Sequence, residues 1–186
     1  MNPGSRLPAT AVGSVLAHFT RASAGATALD NLISILAEGR IRAGTRMIPG
    51  RQPVVCLFDS TLEELARILT RSARRRYQPF GVAMDRRHAF ALGARPVIYL
   101  PWGEARELLP ADQLWRVVRL ELAGARSVDW SFEREWRMAG DLRFAAGDAI
   151  ALVESWQDVD SIYQHFEGHP PCAGVLPLNT GLAVDS

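Results

Sequence analysis

The sequence feature that most constrains the fold of this chain is the order of its short apolar and amphipathic segments. The predicted strands span residues 12–20, 54–58, 81–84, 96–100, 114–122, 132–138, 149–154 and 174–178. The predicted helices follow residues 27, 60 and 155, without the regular strand–helix–strand alternation that builds a parallel sheet. The predicted fold class is therefore α+β. We expect one domain over residues 11–186, preceded by a flexible N-terminus over residues 1–10 that is rich in Pro, Gly and Ser.

The clearest predicted helix follows the first strand. Its apolar stripe consists of Leu29, Leu32, Ile33 and Leu36. Thr27 and Asp30 have the spacing of an N-terminal capping pair, and Gly39 stands where helices commonly end. Ser60 and Glu63 predict the same kind of cap for the second helix.

Composition excludes several classes of protein. The 186 residues suffice for one compact domain, and a net charge of +1 gives no overall field that attracts nucleic acid or anionic membranes. All 21 basic residues are arginine, so lysine nucleophiles and Schiff bases are excluded. A GC-rich coding sequence explains this bias more simply than selection for phosphate contacts. Cys56 and Cys172 have neither a metal-binding spacing nor a disulfide framework.

The N-terminal sequence lacks the basic and apolar regions of a signal peptide. No apolar run reaches the roughly 18 residues that a membrane span needs. We therefore expect a cytoplasmic protein with no membrane partner. The four histidines are scattered along the chain, and we expect no metal site.

Two groups of polar residues are candidates for chemistry. His18 and Thr20 lie two apart on a predicted strand, so both side chains share one face and suit hydrogen bonds to a ribose or an amide. Glu133, Glu135 and Arg137 share one face of the alternating segment 132–138. A carboxylate there suits stabilisation of an oxocarbenium ion. The alternatives are a core histidine at a strand end and a solvated Glu/Arg strand face.

Several phrases of the sequence together resemble ADP-ribosyltransferase-fold proteins. They are HFT (18–20), LDNLISILAEGRIRAG (29–44) and PVVCLFDST (53–61), followed by PVIYL (96–100) and FEREWRMAGDL (132–142). That group includes the poly-ADP-ribose polymerases and the RNA 2′-phosphotransferases. The segments PVIYL and FEREWRMAGDL are most similar to the phage-defence members of this group, which are the DarT-type DNA ADP-ribosyltransferases and the AbiGi-type abortive-infection proteins.

The resemblance implies a split antiparallel β-sandwich with flanking helices and an NAD-binding cleft. It implies that His18 and Thr20 contact the ribose and the nicotinamide amide of NAD. Glu135 is the preferred catalytic glutamate, and Glu133 is expected to orient the acceptor. Phe58 stands near the position where many members have a tyrosine stacked on nicotinamide. We expect these residues to line one pocket, with NAD as substrate and no metal.

Arginine-rich segments suggest further contacts. The predicted nucleic-acid-binding residues are Arg71, Arg74, Arg75, Arg76 and Tyr77. Arginines beside an aromatic ring suit phosphate binding and base stacking, although such a run is also typical of a solvated helix end. Arg42, Arg46 and Arg51 are alternatives for holding the NAD pyrophosphate.

The sequence therefore predicts an NAD-dependent mono-ADP-ribosyltransferase that modifies a macromolecular acceptor. Nucleic acid is the favoured acceptor and protein the other candidate, in a toxin or phage-defence effector. The alternative is a catalytically silent relative, which acts as a binding or antitoxin module beside a cognate toxin or antitoxin partner. A third hypothesis is RNA-directed phosphotransfer or nuclease chemistry on the same scaffold.

Overall fold

The computed structural model describes residues 14–71, 77–123 and 127–179. The strands in these residues are β1 (Val15–Phe19), β2 (Arg40–Ile41), β3 (Val54–Ser60), β4 (Gly81–Asp85), β5 (Arg95–Pro96), β6 (Ile98–Leu100), β7 (Val117–Arg119), β8 (Glu135–Ala139), β9 (Leu142–Arg143), β10 (Ala149–Val153) and β11 (Gly174–Pro177). The α-helices are α1 (Ala28–Glu38), α2 (Leu62–Arg71), α3 (Arg86–Leu92), α4 (Trp102–Leu108) and α5 (Trp156–His165).

A seven-stranded sheet in the order β11-β10-β4-β1-β3-β8-β5 forms the centre of the fold. Its neighbours pair antiparallel, except for the parallel pair β10 and β11. The pairs β2–β9 and β6–β7 form two small separate sheets. The predicted α+β class is confirmed at this level. We expected two small, mostly antiparallel sheets splayed around a cleft, whereas the described residues form one large sheet and two two-stranded ones.

Both faces of the large sheet are covered. One face packs Leu16, Leu57 and Val82 with Leu32 and Leu36 of α1. The opposite face packs Val15, Ala17, Phe58 and Ala83 with Leu65 of α2. Because successive strand residues point to opposite faces, this division shows which side chains each helix can reach. Among the described residues, no helix has the length and the apolar character needed to cross a bilayer.

The predicted caps of α1 are confirmed. Thr27 and Asp30 exchange both bonds of a capping box, and Gly39 ends the helix with a φ of 57°. The cap of α2 lies one residue later than predicted, because Ser60 still belongs to β3. Thr61 and Glu64 make the reciprocal cap bonds, at 3.0 and 3.1 Å.

Two predicted strands are shorter than expected. Residues 111–116 form a 3₁₀ turn, so only Val117–Arg119 of the predicted strand 114–122 is extended. Residues 131–133 also form a 3₁₀ turn, and β8 begins at Glu135. Arg134 lies between them with a φ of 43°, which interrupts the strand that the alternating sequence predicted.

Candidate active site

One cavity of about 1170 Å³ brings most of the predicted site residues together. Those that line it are His18, Thr20, Arg42, Phe58, Tyr77, Glu133 and Glu135. Arg51 does not line this cavity. The side chain of Arg71 and all of Arg74, Arg75 and Arg76 lie outside the described residues. The cavity therefore brings together residues that lie far apart in the sequence, from Ala17 to Arg137.

The strand pairing shows how these side chains enter the cavity. Phe58 of β3 pairs with Ala17 on one side and with Glu135 on the other, so all three share a face of the sheet. His18, the next residue of β1, lies on the opposite face, where α1 packs. His18 and Glu135 therefore reach the same cavity from opposite faces of the sheet.

His18 lies where β1 and β3 stop pairing. The last paired residues are Ala17 and Phe58, and the Nδ1 atom of His18 lies 3.0 Å from the carbonyl oxygen of Cys56. Because a carbonyl oxygen only accepts, Nδ1 carries the proton, and Nε2 of the neutral ring is an acceptor. No described residue bonds to Nε2. Burial lowers the pKa of His18 below its usual 6.5, which favours the neutral ring.

Thr20 connects the end of β1 to α1. Its hydroxyl donates to the carbonyl of Ala28 at 2.9 Å, and its backbone N–H donates to the carbonyl of Phe80 at 2.8 Å. The hydroxyl proton is thus occupied within the protein. Toward a ligand, the Thr20 oxygen can only accept a hydrogen bond.

Glu135 is held by Arg137 through both carboxylate oxygens. The Nε atom of Arg137 lies 2.7 Å from Oε1, and Nη2 lies 3.4 Å from Oε2. The remaining nitrogen of Arg137 donates to the carbonyls of Trp115 and Val117. Tyr99 accepts from the backbone N–H of Glu135 at 2.9 Å. These contacts fix the orientation of the carboxylate and compensate part of its charge.

Glu133 is buried and has a different partner. The Tyr77 hydroxyl donates a short hydrogen bond to Oε1 of Glu133. The Tyr77 ring also packs edge-on against Phe58 at 5.7 Å and at a tilt of 55° against Phe19 at 6.3 Å. Tyr77 was predicted as a base-stacking residue next to the arginine run, and the structure places it in the cavity wall. The pairing of Tyr77 with Glu133 could not be predicted from the sequence, since 56 positions separate the two residues.

Arginines surround the cavity on several elements. Arg42 is paired with Glu38 at 3.0 Å. Arg21 and Arg46 line the cavity, and their guanidinium groups have no partner among the described residues. Arg119 also lines it and is paired with Glu121 at 2.9 Å. The two unpaired groups are therefore better placed to bind an anion than Arg42.

Cys56 lies in the cavity wall beside Glu135. Burial and the neighbouring Glu135 carboxylate raise the pKa of the Cys56 thiol to about 12. The thiol stays protonated at neutral pH and is a poor nucleophile. Within the described part of the chain, no three His, Cys, Asp or Glu side chains are grouped to hold a metal ion.

No protein-family model, curated protein or solved structure matches this chain. The resemblance to ADP-ribosyltransferase-fold proteins therefore depends on the sequence segments alone.

Proposed function

We propose that the protein is an NAD-dependent mono-ADP-ribosyltransferase that binds NAD in this cavity. The observation that carries the proposal is that His18, Phe58, Glu133 and Glu135 line one cavity, although up to 117 positions separate them. A shared cavity is what a common ligand requires, whereas packing alone requires only that each side chain finds its own neighbours.

The cavity has the groups that NAD needs. Its volume of about 1170 Å³ slightly exceeds the roughly 300–1,000 Å³ of most small-molecule sites, which suits a ligand as large as a dinucleotide. The Nε2 atom of His18 can accept from the nicotinamide amide or from a ribose hydroxyl. Phe58 and Tyr77 offer ring surfaces to the nicotinamide. Arg21 and Arg46 are free to form charge-assisted hydrogen bonds with the pyrophosphate.

The proposed reaction breaks the bond between the ribose C1′ atom and the nicotinamide nitrogen. The electron pair of that bond leaves with nicotinamide, and the ribose gains oxocarbenium character. Glu135, fixed by Arg137, stabilises this positive charge. A nucleophile of the acceptor then bonds to C1′ and loses its proton to a carboxylate or to solvent. Glu133 orients the acceptor. The products are the ADP-ribosylated acceptor, nicotinamide and a proton.

Nucleic acid is the favoured acceptor. Trp130 lines the cavity, and its ring lies 6.0 Å from that of Phe132, which is 54% exposed. An exposed aromatic ring beside a cavity, such as that of Phe132, suits stacking of an unpaired base. The arginine run at residues 71–76 follows α2 and supplies positive charge for phosphates. We further propose that the protein is a cytoplasmic toxin or phage-defence effector with a cognate antitoxin. Protein is the other candidate acceptor.

A silent binding module is the second candidate function. The ion pair with Arg137 compensates the charge of Glu135, which weakens its stabilisation of a cation. The hydroxyl proton of Thr20 is also occupied by Ala28. Both features suit a cavity that binds a nucleotide or a partner without catalysing transfer.

A labelling experiment separates the two functions. NAD labelled in its adenylate half is incubated with the protein and with single-stranded DNA, RNA or protein acceptors. An active transferase releases nicotinamide and moves the label to one acceptor. Glu63→Gln is the control, because Glu63 is exposed on α2 and its one ion-pair partner among the described residues is Arg67, at 3.3 Å. Binding of NAD without release of nicotinamide would leave the silent module as the function.

A further inference from the structure

Arg134 has an unusual backbone conformation between the two cavity carboxylates. Its φ is 43° and its ψ is 47°, a left-handed conformation that residues other than Gly, Asn and Asp seldom adopt. Its N–H donates to the carbonyl of Ser131 at 3.0 Å and closes the 3₁₀ turn. The next residue, Glu135, is the first of β8. The turn thus ends and the strand begins at Arg134.

Glu133 lies in this turn, and Glu135 lies in the strand that follows it. In a continuous strand, residues two apart lie about 7 Å from each other on one face, so the carboxylates would be neighbours that repel each other. In the structure, Glu133 accepts from Tyr77 and Glu135 pairs with Arg137. Both side chains still line the cavity. The conformation of Arg134 therefore sets where the two carboxylates lie relative to each other.

The side chain of Arg134 is anchored outside the cavity. Its Nε donates to the carbonyl of Asp59 at 2.8 Å, and its Nη2 donates to Glu64 at 2.6 Å and to the Ser60 hydroxyl at 3.3 Å. These partners lie at the end of β3 and the start of α2. The guanidinium thus connects the beginning of β8 to two other elements.

Glu64 is itself held by several donors. The same oxygen that binds Arg134 also accepts from the backbone N–H of Thr61 at 3.0 Å and from the Ser60 hydroxyl at 2.9 Å. These bonds and Arg134 lower the pKa of Glu64 to about 2. Glu64 is therefore ionised at neutral pH and is fixed by the N-terminus of α2.

We infer that Arg134 is a positioning residue, which Glu64 anchors and which fixes Glu133 and Glu135 within the cavity. The expected effect of Arg134 on turnover rests on the proposed function. Its expected effect on the positions of the two carboxylates does not rest on that function. Arg134 touches neither NAD nor the acceptor in this scheme. It acts through the backbone that carries the two glutamates.

Kinetics test the effect on turnover. Arg134→Ala and Glu64→Gln are each expected to lower kcat for nicotinamide release by about 10- to 100-fold, the scale of a misplaced catalytic group, with KM for NAD within about twofold. The double variant should be little worse than either single one, because both break one interaction. Arg134→Lys keeps the charge without the planar fork and should recover part of kcat. Glu63→Gln, one residue earlier on α2, should match wild type.

Carbon-13 NMR of the glutamate carboxyls tests the positions directly. The signals of Glu133 and Glu135 should both shift in Arg134→Ala and in Glu64→Gln, and neither should shift in Glu63→Gln. If wild type fails to release nicotinamide, the proposed function is wrong, and the NMR result alone decides the inference. If Arg134→Ala is poorly folded, Arg134→Lys and Glu64→Gln carry both measurements. Unchanged carboxyl signals in the folded variants, or kcat values equal to wild type in an active protein, would overturn the inference.

Discussion

Arg137 and Glu135, two residues apart on β8, form a buried ion pair in the wall of the cavity. Their side chains are only 6% and 11% exposed, and two backbone carbonyls bind the remaining guanidinium nitrogen. A buried charge is tolerated when it is paired and hydrogen-bonded, and Arg137 has both the Glu135 carboxylate and two backbone carbonyls as partners. Each partner therefore depends on the other for stability.

Breaking this ion pair should destabilise the fold. Arg137→Met leaves the Glu135 carboxylate buried without a cation, and we expect the free energy of unfolding to fall by about 3–5 kcal/mol. The double variant Arg137→Met/Glu135→Leu removes both charges and should recover most of the loss. Urea denaturation at pH 7 measures both effects. A single variant as stable as wild type would show that the pair is not buried in solution.

His18 should make stability depend on pH in a defined window. Its folded pKa lies below the unfolded value of 6.5, so the unfolded chain binds the proton more readily. The stability from neutral His18 is complete above pH 6.5 and is lost as pH falls below it. His18→Asn keeps a donor for the Cys56 carbonyl and should unfold with a weaker pH dependence below pH 6.5. His169→Asn, an exposed control, should follow wild type.

Gly81 allows β4 to approach β1 closely at His18. A Cβ atom at this position would lie 2.2 Å from the backbone carbonyl oxygen of His18, so the two strands would have to separate. Gly81→Ala should lower the free energy of unfolding by roughly 1–3 kcal/mol, the range for overpacked sites. Gly174→Ala on β11 is the control, since a Cβ there meets nothing within 4 Å. Chemical denaturation of both variants checks the prediction, and equal stabilities would contradict it.

The ends of α1 could be predicted from residues close together in the sequence. The left-handed conformation of Arg134 could not, because it depends on contacts with distant residues. Thr27 and Asp30 lie three apart, so the cap of α1 could be predicted from adjacent residues. The alternating residues 132–138 satisfy a strand pattern equally well whether or not Arg134 is left-handed. The contacts that fix Arg134 lie 70 to 75 positions away, at Asp59, Ser60 and Glu64. No spacing in the sequence indicates them.

In the candidate site, too, only the features that depend on nearby residues could be predicted from the sequence. Glu135 and Arg137 could be assigned to one face from their spacing, because both lie in the part of the segment that is a strand. The helices α3 and α4 were not predicted, since seven residues each give too little periodicity. The partner of Glu133 could not be predicted either. Tyr77 is the hydroxyl donor to Glu133, and its ring packs against Phe19 and Phe58, which lie 58 and 19 positions before it.

Binding of NAD to the cavity is tested most directly by calorimetric titration of a matched pair of α1 variants. Ser34 and Ala37 are both exposed on α1, but only Ser34 lines the cavity. Ser34→Trp should therefore obstruct the site, whereas Ala37→Trp adds the same ring elsewhere on the helix. Wild type and Ala37→Trp should bind NAD with equal affinity, and Ser34→Trp should bind it at least about tenfold more weakly, a difference of about 1.4 kcal/mol. No binding by wild type, or equal binding by all three proteins, would contradict the assignment of this cavity to NAD.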